Sequence, residues 1–240
     1  MFSGKEYWNQ SKLFSKCELI DKSFTNDKCD NLLRKIDIIK KNPKKYKEVQ
    51  LTKLEYKESH FNSFQFNFSD SQEFFDDFIF SFDFLLSLYI KNGFNSPWKN
   101  IKDCHNSSND NNHFLNPLVF EYKCPANFDW HIHKPKYQKF QLVMNLSKKN
   151  RDYKSSLFEI MKDNQTSWKI SNEHAQGYVI SFPYGKPHRV TNIKPIKESN
   201  VTQRHVHLLM PIHPKKGFDG AFEHLKNFNQ KTFPLNANLN

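Results

Sequence analysis

The chain has 240 residues, 24 of them phenylalanine against 6 glycines, and carries a formal charge of +11. That length suits one domain, or a compact domain with a helical extension, and the aromatic excess can supply a large core. Four cysteines without a CxxC give no support to a zinc-ribbon or thioredoxin-like motif, and no apolar run reaches the ~20 residues of a membrane span.

The opening "MFSGKEYWNQ" lacks the apolar stretch of a signal peptide, and no disulfide framework is apparent, so a cytoplasmic location is expected. The first predicted element is a helix, "NDKCDNLLRKIDIIKK", starting near Asn26. It places Leu32, Leu33, Ile36, Ile38 and Ile39 at roughly helical spacing and ends before Pro43. The densest basic cluster, "KKNPKKYK" (Lys40 to Lys47), follows it and reads as a solvated surface. "FNSFQFNF" alternates apolar and polar residues and predicts a strand. A second helix is predicted from "SDSQEFFDDFIFSFDFLLSLYIKNG", with Ser69 and Asp70 as candidate caps. Phe74, Phe78, Phe82, Leu85 and Tyr89 make its apolar face, and Gly93 its stop. "HNSSNDNNH" is a polar loop.

From Pro117 the pattern changes to short strands divided by turn residues: "LVFEYKC", "FDWHIH", "KFQLVMNL", "SLFEIM", "SWKI", "GYVISF", "HRVTNI" and "RHVHLLMPI". Eight strands at this spacing predict an antiparallel sandwich or barrel of the jelly-roll kind, mainly β with flanking helices. A short helix, "FDGAFEHLKNF", is predicted after them. The expected organisation is one domain: a helical and strand support region over 1–115, the core over 116–215, and a C-terminal helix and tail over 216–240.

Side chains at i and i+2 of a strand share a face, so His131 and His133 of "WHIH" project together. Two imidazoles on one face can occupy adjacent positions on a metal. A third histidine, His188, opens a strand after the turn in "ISFPYGKPHRV", and Arg204 lies on the last long strand.

In this order of motifs the C-terminal half resembles the iron(II)- and 2-oxoglutarate-dependent dioxygenases, particularly the prolyl-hydroxylase-like branch. "HIH" stands where that family has HxD or HxE. "KFQLVMNLS" and "DYKSSLFEI" follow, the latter with serines where glycines are usual, then "GYVISFPYGKPHRV" and Arg204. The match covers about residues 117 to 213, and "ISFPYGKPHRV" is its most specific piece. The resemblance implies a double-stranded β-helix core with the N-terminal helices packed on its sheet. It implies iron(II) held by His131 and His188, with His133 at the place of the third ligand, 2-oxoglutarate and O₂ as co-substrates and ascorbate as a reductant. Arg204 is then expected to pair with the distal carboxylate of 2-oxoglutarate, for which a guanidinium fork is suited. Gln141 and Tyr122 are expected beside the co-substrate.

The family's carboxylate ligand is missing, which leaves three readings open. Three histidines can hold iron(II), since imidazole is a good ligand for it. Asp129 and His131 can instead supply the pair, restoring a carboxylate in reversed order. Or the site is degenerate and the protein a non-catalytic jelly-roll binding module. A three-histidine cupin-type dioxygenase that does not use 2-oxoglutarate is a further alternative. Arg204 follows His188 at a long interval, which the hairpin "KPIKESN" accounts for, and Lys194 and Lys197 are rival carboxylate partners. His205 and His207 alternate away from Arg204 and read as ordinary strand histidines. Trp130 and Trp168 are candidates for a substrate pocket. The primary substrate is not legible; the net charge favours an anion, and no nucleic-acid-reading motif or membrane segment is present.

Overall fold

The computed structural model describes residues 9, 11–12, 17–56, 59–68, 73–106, 114–133, 138–161, 167–170, 175–196, 203–213, 217–218 and 222–224. Its elements in chain order are β1 (Glu18–Asp21), α1 (Asn26–Lys41), β2 (Val49–Tyr56), β3 (Ser59–Phe66), a 3-10 turn (Glu73–Phe75), α2 (Asp76–Lys91) and α3 (Ile101–Asn106). Then come β4 (Phe114–Lys123), β5 (Phe128–His133), β6 (Phe140–Asn145), β7 (Phe158–Met161) and β8 (Ser167–Ile170). β9 (Val179–Pro183), β10 (His188–Val190), β11 (Gln203–His213), β12 (Gly217–Phe218) and β13 (Phe222–His224) complete the series.

The strands form two antiparallel sheets. The larger runs β1-β9-β6-β11-β4-β3-β2, with β12 beside β11; the smaller runs β13-β5-β10-β7-β8. The eight strands read from the sequence after Pro117 divide four and four between the sheets, which is the predicted jelly-roll arrangement. Segments from the first 115 residues also join the larger sheet, as β1, β2 and β3.

Strand alternation creates two cores. Val206, Leu208 and Met210 of β11 point between the sheets with Phe120, Val143 and Phe182. Leu209 of β11, with Val119, Phe140 and Met144, points the other way against the helices. Both faces of the larger sheet are therefore buried along its central strands, and that is why β6 and β9 are buried at every position. The helical side is an aromatic layer: Phe64, Phe66, Phe68, Phe75, Phe78 and Phe82 are essentially inaccessible to water. Complete burial of each such side chain stabilises by roughly 1.5–3 kcal/mol, enough to hold the helices on the sheet without help from disulfides.

Thr25 caps α1 by accepting a hydrogen bond from the Lys28 N–H. The proposed caps of the second helix, Ser69 and Asp70, lie outside the described residues; the α-helix proper begins at Asp76 behind the 3-10 turn. Gly93 ends it with φ of +106°, a backbone angle that suits glycine. Asp83, the charge that interrupts the apolar run of α2, accepts the Ile101 N–H at 2.6 Å and so anchors the start of α3.

The C-terminal prediction requires correction. At the start of the expected helix, Gly217–Phe218 pairs with β11, and within it Phe222–His224 pairs with β5, opposite His133 to His131. An open edge of the smaller sheet offers unpaired backbone groups there, and the ladder overrides the weak helical pattern. Among the described residues no helix is long and apolar enough to cross a membrane.

Candidate metal centre

His131 and His188 stand directly opposite one another on β5 and β10. The next pair in that ladder is Phe128 with Val190, so three residues of β5 span two of β10: a β-bulge lies between them. The bulge turns His131 and Phe128 to the same side, with ring centroids 3.8 Å apart. Asp129 is exposed as a result, and its carboxylate accepts the N–H of Trp130. Strict alternation would have put Asp129 beside His131; the extra residue removes it. The alternative ligand pair with Asp129 is thereby corrected.

His131, His133 and His188 are all buried, and one ring nitrogen from each lies within 4.8 Å of the others. Their ring centroids are 5.2 Å apart for His131 and His133, 4.2 Å for His131 and His188, and 4.9 Å for His133 and His188. Nδ1 of His131 lies 2.7 Å from the Asp129 carbonyl, and Nδ1 of His188 lies 2.8 Å from the Lys186 carbonyl. A carbonyl only accepts, so each Nδ1 carries the proton and each Nε2 keeps its lone pair for the cluster. Backbone carbonyls commonly orient metal-binding imidazoles in this way. Burial pushes the His188 pKa down to about 4, and burial with the adjacent His188 holds His133 well below the ordinary range. Both rings are neutral at pH 7, the state that binds a metal.

This donor set fits a divalent transition metal: three buried imidazoles with their ring nitrogens gathered together, two of them oriented by backbone carbonyls. No carboxylate among the described residues joins the cluster.

The cluster forms one wall of a cavity of about 50 Å³ between the sheets. Phe128, Phe158 and Phe182 close it on the apolar side, and Tyr122 and Arg204 meet it from β4 and β11, where they are directly opposed. Arg204 is 2% exposed; its Nη1 donates to Ser156 Oγ at 3.1 Å, its Nε to Asn145 Oδ1 at 3.5 Å, and its guanidinium sits 5.7 Å from the Tyr153 ring. Burial pushes the Tyr122 phenol upward, against the opposing pull of Arg204.

Gln141 borders the cavity, but its amide is committed elsewhere. Its Nε2 donates to the Leu142 carbonyl at 2.8 Å and reaches the Tyr89 hydroxyl and Leu209 carbonyl at 3.1 and 3.3 Å. It braces β6 against α2, a correction to its expected place as a co-substrate donor. Lys194 is exposed and lines no part of the cavity; Lys197 lies outside the described residues. His205 and His207 face the helices, as alternation predicts. Trp130 points away from the cavity with the Arg189 guanidinium 4.9 Å from its ring, and the side chain of Trp168 is outside the described residues.

Sequence reasoning missed the wall against His133. Tyr184, in the turn of "FPYGKPH", is wholly buried, with its ring 4.6 Å from that of His133, which also stacks on His188. A large aromatic in a Pro/Gly turn was the available signal. The Glu121–His205 pair behind the cavity was also missed.

No protein-family model matches the chain, and no curated protein matches it. Among solved structures, a prolyl-4-hydroxylase from Pseudomonas putida superimposes with a TM-score of 0.51 at 9% identity, over 81% of this chain and 92% of that one. A prolyl 4-hydroxylase structure from Phytophthora capsici gives 0.49 at 12% identity, over 87% and 60%. An oxidoreductase of the 2OG-Fe(II) oxygenase family from Burkholderia pseudomallei gives 0.42 at 10%, over 78% and 81%. The first likeness shows a shared fold, which the two-sheet topology bears out independently.

Proposed function

We propose that the protein is an iron(II)- and 2-oxoglutarate-dependent dioxygenase, a soluble oxidoreductase that hydroxylates a small or anionic substrate. The observation that carries the reading is the convergence of three metal-competent histidines and one buried arginine on a single cavity. His131, His133 and His188 would hold the metal through their ring nitrogens. With 2-oxoglutarate and O₂ the bound metal supplies decarboxylation to succinate and CO₂ and the oxidation of a C–H bond.

The chain's own groups do the rest. Arg204 binds and orients the distal carboxylate of 2-oxoglutarate, in a buried place where a charge-assisted pair is strong. Tyr122, opposite it, offers a hydroxyl to the same end. The phenylalanine walls exclude water and confine the substrate beside the histidines. The rings of Tyr184 and His188 both pack against that of His133 and restrict its movement. A site of three imidazoles carries one more positive charge than a site with a carboxylate, which favours a dianionic co-substrate. All four cysteines are free thiols, in keeping with a reducing cytoplasm, where ascorbate can serve as reductant.

The all-nitrogen donor set favours a second reading, a three-histidine dioxygenase that does not use 2-oxoglutarate. The two are separated by turnover. Iron-loaded protein is incubated in air with 2-oxoglutarate labelled at its C1 carboxylate. Labelled CO₂ released by the wild type, and not by His188→Ala, supports the proposal; iron bound without any release supports the second reading.

A further inference from the structure

Glu121 and His205 face the helices, directly behind the cavity wall. They are opposed across β4 and β11, and the next pair along the ladder is Tyr122 with Arg204, facing the cavity. Glu121 is completely buried, and charges in such places persist only when they are well paired. Its carboxylate is met by His205 Nε2 at 2.9 Å, Lys40 Nζ at 2.7 Å and Asn62 Nδ2 at 2.8 Å, with Lys123 Nζ at 3.6 Å. One side chain thus ties α1, β3, β4 and β11 together. Burial alone would raise the Glu121 carboxyl, yet the hydrogen bonds and charges of His205 and Lys40 outweigh it and hold the group down at about 2.

His205 is clamped on its other side as well. The β6–β11 ladder begins only at Val206, so Arg204 and His205 lie beyond regular pairing with β6. In its place, the His205 N–H donates to Ser147 Oγ at 2.8 Å, the His205 carbonyl accepts the Leu146 N–H at 2.9 Å, and Ser147 Oγ lies 3.4 Å from His205 Nδ1. The same segment reaches Arg204: Asn145 Nδ2 donates to the Ser147 carbonyl at 2.8 Å, and Asn145 Oδ1 faces the Arg204 Nε at 3.5 Å.

We propose that Glu121 and His205 are positioning residues for Arg204, locking the start of β11 on the side where β6 does not pair with it, so that the guanidinium is held in one place at the cavity. The network runs from Lys40 at the surface through Glu121, His205, Ser147 and Asn145 to Arg204. Its consequence for 2-oxoglutarate rests on the reading above; its consequence for Arg204 does not. Loosening a binding group by a fraction of an ångström weakens what it holds far more than it weakens the fold.

The test uses full-length ¹⁵N-labelled protein without metal or co-substrate and follows exchange of the Arg204 Nε–H with water, the resonance being assigned by its loss in Arg204→Lys. Glu121→Gln is expected to speed that exchange on the order of tenfold; unchanged exchange in the folded variant overturns the proposal. Should Glu121→Gln not fold, Ser147→Ala removes the clamp on His205 alone and carries the same expectation. In iron-loaded protein the variant should also raise the Kd for 2-oxoglutarate on the order of tenfold at unchanged iron affinity, a split that general destabilisation would not produce. A wild type that binds no 2-oxoglutarate defeats the functional reading, while the guanidinium measurement still decides the positioning role.

Discussion

Replacing His207 with leucine should flatten the acid side of the stability profile. His207 is wholly buried on the helix face of β11, its ring centroid 4.5 Å from that of Phe82. Its Nδ1 lies 3.4 Å from Ser81 Oγ, and its Nε2 has no hydrogen-bond partner among the described residues. Burial, with the neighbouring His205, pushes its pKa from 6.5 down to about 3. Since the folded value is the lower one, the unfolded chain binds the extra proton between those limits. Stability is therefore full above about pH 6.5 and is lost as pH falls toward 3, by ~1.4 kcal/mol per pH unit. Between pH 7 and pH 5 that amounts to about 2 kcal/mol. Leucine binds no proton, and Ser81 keeps its bond to the Phe78 carbonyl. Removal of the imidazole that stacks on Phe82 costs the same at both pH values. Urea unfolding of metal-free protein at pH 7 and pH 5 gives the comparison; His133 and His188 titrate in both proteins and cancel. The variant should lose about 2 kcal/mol less than the wild type over this interval. Equal losses in the two proteins would refute the reasoning.

Three further outcomes are expected. His188→Ala should abolish stoichiometric iron binding, measured by metal analysis after desalting, with the far-ultraviolet circular dichroism unchanged because the aromatic core is untouched. Arg204→Met should raise the Kd for 2-oxoglutarate by about 10- to 100-fold, the worth of a charge-assisted pair, while calorimetry finds iron affinity as in the wild type; Arg204→Lys should recover only part of the loss. Asp129→Asn should leave iron affinity unchanged within error, since the bulge turns that carboxylate outward; a large fall would place Asp129 back among the ligands.

Much of the candidate site is legible in the chain because strand periodicity is simple. His131 and His133 share a face by spacing alone, and "ISFPYGKPHRV" marks the turn that delivers His188 opposite them. The outward orientation of His205 and His207 follows from the same period of two. What periodicity cannot carry is a bulge: nothing in "FDWHIH" announces that Asp129 is turned out, because the irregularity arises in the pairing of β5 with β10. The Gln141 amide is likewise committed by tertiary partners, Tyr89 of α2 and Leu209 of β11, that lie far off in sequence. β2, "VQLTKLEY", is an edge strand whose lysine and glutamate mask its alternation. The four-residue β1, "ELID", is too short for any period to show. The C-terminal segment misled because a short amphipathic pattern was offered a sheet edge.

The most direct test of the central claim is an anaerobic titration of iron(II)-loaded protein with 2-oxoglutarate, followed in the visible spectrum. Chelation of iron(II) by the keto acid gives a charge-transfer band. The proposed dioxygenase predicts that the band grows to saturation at one equivalent and is absent from His188→Ala. Iron bound at one equivalent with no band at any 2-oxoglutarate concentration would contradict it.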